Sequence, residues 1–240
     1  MDSAERIRAA VARVQALRAA PASDSVMAIK RLQSRRFAGS YADLIAAGGP
    51  AADATRFFLE ELYGDRDFRE RDAQFARIAG TLQTLFPAAV TATAVALAEL
   101  HALTESLDLD MARAWDALPG EPAARRYLQA WRAVGQPLER RRQLADVLAL
   151  GRDLGRLTRT PGLGMMLRMM RGPAATAGMG ALQRFLEAGF DTFGRLARQH
   201  GVEAFLHTVD LREKALMDLL FEGELVACET GLLRLLGEAP

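Results

Sequence analysis

Apolar residues recur three or four positions apart along nearly the whole chain, and proline or glycine interrupts the pattern at helix-sized intervals. No run alternates apolar and polar with the period of two that a strand needs. The pattern restricts the chain to an all-α fold. Nine prolines and twenty glycines in 240 residues set the boundaries. Asp2 and Glu5 form a capping box before Ile7, Val11, Val14 and Leu17, and Pro21 ends that helix. Ser40 is expected to cap a short helix stopped at Gly48 and Gly49, and Pro50 opens the next, which should end at Gly64. Asp65 or Asp67 caps its successor, which runs to Leu85. Pro87 starts an alanine-rich helix to Leu107, with a shorter helix after it around Met111 and Trp115.

The second half continues in the same way. Pro122 and Pro137 open helices, the second rich in arginine and reaching Thr158, before a methionine-rich turn over 162–171. Three more helices carry Leu182 to Leu196, Val202 to Phe221, and the end to Leu236. Short connectors favour packed neighbours, so the expectation is one bundle of roughly ten helices over 1–240, with its weakest seam at 172–178.

Half the residues are hydrophobic and a quarter charged, enough for a substantial core and too apolar for disorder. One cysteine, Cys228, excludes an internal disulfide and a cysteine zinc cluster. Neither a signal-peptide core nor a spanning apolar stretch is visible, so a soluble cytoplasmic protein is expected. Only Lys30 and Lys214 are lysine, and asparagine is absent; the arginine and alanine bias reads as a GC-rich bacterial genome.

Charge is unevenly spread. Residues 125–171 hold eleven arginines and three acids, whereas both flanks are acidic. The plainest reading is that flanks and middle face each other in the fold. The alternative is an anion or nucleic-acid binder through 125–171, where Arg152, Arg156 and Arg159 share one helix face and Arg140 to Arg142 stand at its start.

Four methionines follow, Met165, Met166, Met169 and Met170, with Arg168 and Arg171 among and after them. Methionine adapts its shape and is over-used at binding surfaces. The leading functional expectation is therefore a non-catalytic protein that binds a partner protein or an apolar ligand through 140–171. A second candidate is the run from Phe57 to Asp72. Its helix stop and caps explain most of it, leaving Glu60, Glu61 and Tyr63 on a helix expected to be buried on two sides; buried carboxylates there would need partners such as Arg69 or Arg71. A third is a metal-dependent bundle enzyme. His101 with Glu105, and Glu203 with His207, lie one turn apart on two helices and would supply four ligands if they met. His200 reads as a helix C-terminal residue and Cys228 as a core thiol. No phosphate loop, nucleophile elbow or dinucleotide fingerprint is present, and no cofactor is expected.

Tyr41-Ala-Asp-Leu-Ile, Arg56-Phe-Phe-Leu-Glu-Glu-Leu-Tyr-Gly and Arg71-Asp72 together resemble an uncharacterised proteobacterial family. The stretch Gly178-Met-Gly-Ala-Leu-Gln-Arg-Phe-Leu-Glu-Ala-Gly-Phe-Asp-Thr-Phe and Arg212-Glu213 fit the same pattern, which spans about Leu32 to Phe221. The resemblance implies a helical fold and assigns no function to any residue.

Overall fold

The computed structural model describes residues 1–19, 23–62 and 68–237. Among them lie thirteen α-helices, one π-helical turn and no strand, slightly more elements than periodicity suggests. The first helices are α1 (Ser3–Arg18), α2 (Ser23–Ser40), α3 (Ala42–Ala47) and α4 (Gly49–Phe57). The capping box at α1 forms as expected. Ser40 ends α2 instead of capping α3, whose N-cap is Tyr41. Tyr41 is fully buried, so packing rather than capping chemistry fixes that corner.

Phe57 passes directly into the π-helical turn Phe58–Leu62. A π-turn adds a residue within the helix and rotates the side chains beyond it. Phe57 and Phe58 are both buried, which bears out burial on two sides. Phe57 stacks on Phe185 at 5.8 Å between ring centroids, while Phe58 meets Phe193 and Phe205 at 6.3 Å each. Tyr63, Gly64, Asp65 and Asp67 lie outside the described residues, as does Pro21. Helix α5 (Arg69–Leu85) follows, with Phe68 at its N-cap.

The two helices expected over 87–118 are one, α6 (Ala88–Asp116), with twenty-nine residues. Nothing between Leu107 and Met111 breaks a helix; Asp108 and Asp110 are poor helix formers but neither removes a backbone bond. Helices α7 (Ala123–Val134) and α8 (Pro137–Leu157) follow, then α9 (Leu163–Met169), where a turn is expected from the sequence, and α10 (Arg171–Thr176). The seam at 172–178 is thus largely helical, and its Ala174 is buried. Helices α11 (Gly180–Arg198), α12 (Val202–Glu222) and α13 (Leu225–Leu236) complete the chain.

Helix α6 is the spine: α1, α2, α7 and α8 all pack on it. Helix α11 joins α4, α5 and α8, while α12 lies against α7 and α8. At Gly151 the absence of a Cβ admits Leu206 of α12, whose Cδ2 would lie 2.6 Å from one. Helix α13 closes on α2, where a Cβ on Gly39 would overlap the Leu235 carbonyl oxygen. Backbone cannot yield as a side-chain tip can. Gly39→Ala is therefore expected to cost about 2 kcal/mol or more by overpacking, read as a lowered urea midpoint.

Candidate functional site

The spine helix carries charge into the interior. Ala94, Ala98, His101, Glu105 and Asp108 follow one another at spacings of three and four on α6, so one stripe changes from apolar to ionisable. Glu105 and Asp108 are 4% and 0% exposed. Two cations reach them from neighbouring helices. Lys30 Nζ of α2 lies 2.5 Å from Glu105 Oε1 and 3.8 Å from Asp108 Oδ2. Arg18, at the end of α1, donates to Glu105 at 3.2 Å and to Asp72 of α5 at 2.9 Å. His101 Nε2 lies 3.0 Å from the same Asp72 oxygen and 3.2 Å from Arg18 Nη2. Gln33 donates to Asp108 at 3.3 Å.

The electrostatics follow from this crowding. Burial pushes the Asp72 carboxyl up, but the hydrogen bond and charge of His101, with Arg71 and Arg18, bring it below its ordinary value. Burial also raises Glu105, and Lys30, His101 and Arg18 outweigh it. Arg71 itself is lowered by burial, against the pull of Asp72. Its guanidinium is held between the Phe68 and Phe185 rings, at 4.1 and 4.7 Å, and donates to the Glu61 carbonyl oxygen.

A second junction joins α2, α3 and α12. Arg36 donates to both Glu213 oxygens at 2.8 Å, and the Tyr41 hydroxyl donates to Glu213 at 3.0 Å. Burial alone would lower Arg36; Glu213 raises it above its ordinary value. Arg212 holds Asp43 in a paired contact at 2.6 and 2.7 Å, which brings that exposed carboxyl to a pKa of about 2.

Two cavities adjoin these networks. The first, about 180 Å³, has a mixed wall that includes Arg36, Arg71, His101, Arg140, Gln143 and Glu213. The second, about 310 Å³, is almost wholly apolar and lies among α5, α6, α8, α10 and α11. Leu62, Phe75, Leu97, Leu182 and Phe185 line both. Helices α6 and α8 run antiparallel past them, tied at one end by the 2.8 Å hydrogen bond from Gln143 to Thr104. The mixed cavity sits at that end; Val90 and Leu157 mark the apolar end.

The chain belongs to the family described as a domain of unknown function (DUF8198). The family model spans residues 12–226. No curated protein and no solved structure matches the chain. Of the residues quoted for the resemblance, Tyr41, Asp43, Arg212 and Glu213 fall at one junction and Arg71 and Asp72 at the other, while the longer stretches 56–64 and 178–193 lie mostly elsewhere.

The four residues considered for a metal do not come together. His101 and Glu105 belong to the buried ion network, whereas Glu203 is exposed on Arg152 at 3.3 Å and His207 is exposed on α12. Among the described residues no group of three or more His, Cys, Asp or Glu is placed to hold a metal ion. The arginine row is divided. Arg152, Arg156 and Arg159 are exposed but engaged, with Glu203, Asp153 and the Ala197 carbonyl oxygen. Arg125 and Arg171 pair with Glu229 and Glu187, so the acidic third part of the chain does face the basic middle.

The methionines divide as well. Met165 and Met169 are 63% and 72% exposed, while Met170 lines the apolar cavity. Glu60 is exposed and Glu61 half-buried, so the expected buried carboxylate pair does not form. His200 does follow α11, in the left-handed region at φ 55°. The Cys228 thiol is buried and donates to the Leu219 carbonyl oxygen at 2.9 Å. Among the described residues no helix is long and apolar enough to cross a membrane.

Sequence reasoning passed over Arg18, Lys30 and Arg36. The signal for Arg36 was present: it continues the buried stripe of Ile29 and Leu32 at the next helical step.

Glu105→Gln would leave Lys30 and Arg18 without their shared counter-charge. The expected loss is about 2–3 kcal/mol, below that of a fully buried pair because water reaches part of Arg18, measured by chemical denaturation. The depressed Asp72 and Glu105 pKa values also set an acid limit. Their contribution is complete above the ordinary values of 3.8 and 4.5 and is lost as pH falls through the lower folded values. Tm should therefore drop below about pH 4.5, and Glu105→Gln should flatten that drop in a thermal series against pH.

Proposed function

We propose that the protein binds an apolar small molecule in the cavity between α5, α6, α8, α10 and α11. The observation that carries this reading is the cavity itself: about 310 Å³ of space walled by side chains such as Leu82, Leu150, Leu154, Leu167 and Phe190. Binding sites for small molecules are concave, mainly apolar, and of this size class. A water-filled space with such walls gains little from its water, because a buried water needs two to four polar partners. An apolar ligand supplies the missing contacts and displaces that water.

The methionine-rich segment fits this reading from the inside. Helices α9 and α10 form one wall through Leu163, Leu167, Met170 and Ala174. They are short and rest on α11, to which Gln183 ties the Leu167 carbonyl oxygen at 2.7 Å and Glu187 ties Arg171 at 2.6 Å. The binding of a partner protein, expected from the same segment, would use the opposite side, where Met165 and Met169 are exposed.

Substitutions separate the two. The neutral fluorescent probe N-phenyl-naphthylamine should bind the wild-type protein in one saturable site. Ala94→Phe fills the apolar cavity from α6 and should weaken probe binding at least tenfold, about 1.4 kcal/mol, with helix content by circular dichroism unchanged. Met165→Gln with Met169→Gln should leave it unaltered. Probe binding that survives Ala94→Phe and vanishes with the methionine pair would place the apolar site on the outer surface and refute the cavity.

A further inference from the structure

The mixed cavity contains a charge that the fold does not balance. Glu213 neutralises Arg36, and Asp72, Glu105 and Asp108 share Arg18, Lys30, His101 and Arg71 among them. Arg140 is different. It is 4% exposed, lines the cavity, and forms no ion pair within 4 Å among the described residues. Its Nε and Nη2 have no hydrogen-bond partner. Its guanidinium carbon lies 4.2 Å from the Trp131 ring, and its charge also acts on the buried Tyr127. Trp131 Nε1, also on the cavity wall, is buried without an acceptor, and so is Arg36 Nε. Asp108 Oδ2, which Lys30 faces, and Gln129 Oε1 are buried without a hydrogen bond as well, but neither residue lines the cavity; the orphan groups on its wall are donors, and three different helices supply them.

Buried donors of this kind are costly unless an acceptor arrives. Guanidinium geometry suits a carboxylate or a phosphate, either of which offers two oxygens to two N–H groups. One uncompensated cation balances a monoanion, where a phosphate dianion would need more.

The position of Arg140 sets what the rest of the ligand must be. Arg140, Gln143, Leu144 and Val147 face the mixed cavity from α8, and Leu150, Leu154 and Leu157 of the same helix face the apolar one. Seventeen residues separate Arg140 from Leu157, roughly 25 Å along a helix axis. The cavities meet at Leu62, Phe75, Leu97, Leu182 and Phe185, so a polar, cationic space adjoins an apolar one across a wall made only of side chains.

We infer that the ligand is a single-chain carboxylate amphiphile, a long-chain acid, with its carboxylate at Arg140 and Trp131 and its chain in the apolar cavity. This rests on the apolar-ligand reading above and adds the head group, its orientation and its charge. The same anionic chemistry occurs in alkyl phosphates, which the single cation should accept less well.

The test compares dodecanoate, dodecanol and dodecyl phosphate at pH 8, each displacing N-phenyl-naphthylamine from wild type and from Arg140→Met. Wild type should bind dodecanoate at least about tenfold tighter than dodecanol, as a charge-assisted hydrogen bond provides, and tighter than dodecyl phosphate. Arg140→Met should bring the dodecanoate-to-dodecanol ratio to about one. A ratio near one in wild type overturns the head-group assignment without recourse to any variant. So does a ratio that Arg140→Met leaves intact. Preferential binding of dodecyl phosphate replaces the carboxylate with a phosphate. A protein that binds neither the neutral probe nor dodecanol fails the cavity reading itself, a result distinct from failure at Arg140.

Discussion

The cost of burying carboxylates on the spine helix governs how the first half of this protein is arranged. Glu105 and Asp108 on α6 and Asp72 on α5 lie almost out of reach of water. An unpaired carboxylate in such a place is not tolerated, so cations must come to it. Arg18 from α1 and Lys30 from α2 do so, with His101 from the same helix. Four helices are thereby fixed in register by charge as well as by apolar contact. Arg36, Tyr41 and Glu213 perform the equivalent task between α2, α3 and α12.

These networks consume nearly every buried charge, which gives Arg140 its meaning. In a protein with many unmatched ions one more would carry no information. Here a guanidinium stacked on Trp131, with two nitrogens unbonded, stands out against balanced neighbours. Arg140 lies on the mixed cavity, and further along α8 Leu150, Leu154 and Leu157 line the apolar one beside it; the proposed amphiphile rests on that adjacency. The charge-balanced networks around it fix the backbone that holds the wall, so the site is built into the packed bundle and does not depend on a loop.

Much of the architecture was legible because helices are local. Proline and glycine positions marked most boundaries, and the apolar stripes named inward residues such as Ile7, Ile29, Leu82 and Phe193, all buried. The errors came where local signals compete. The break expected between Leu107 and Met111 is one that the backbone of α6 does not make. Ser40 offered a cap, but burial of Tyr41 moved the boundary by one residue. The candidate site was less legible. Met170 and Arg140 were singled out, each in company with neighbours that turn the other way: Met165 and Met169 are exposed, and so are Arg141 and Arg142. Composition identifies a cluster, while the helical rotation of about 100° per residue decides which member faces inward.

The sequence by itself determined the helical class, most helix limits, the buried stripes and membership of a helical family, since each depends on residues within a few turns of one another. Pairing across long separations was decided only in the tertiary structure. Arg18 meets Asp72 and Glu105, Tyr41 meets Glu213, and Arg140 has no carboxylate partner among the described residues. The His101–Glu105 pair, read as half of a metal site, became part of an ion network for the same reason. A side chain's partner depends on which helix faces α6 and at what height, and no local pattern records that. The cavities share this origin, because empty space between helices is a property of how they pack and not of any one of them.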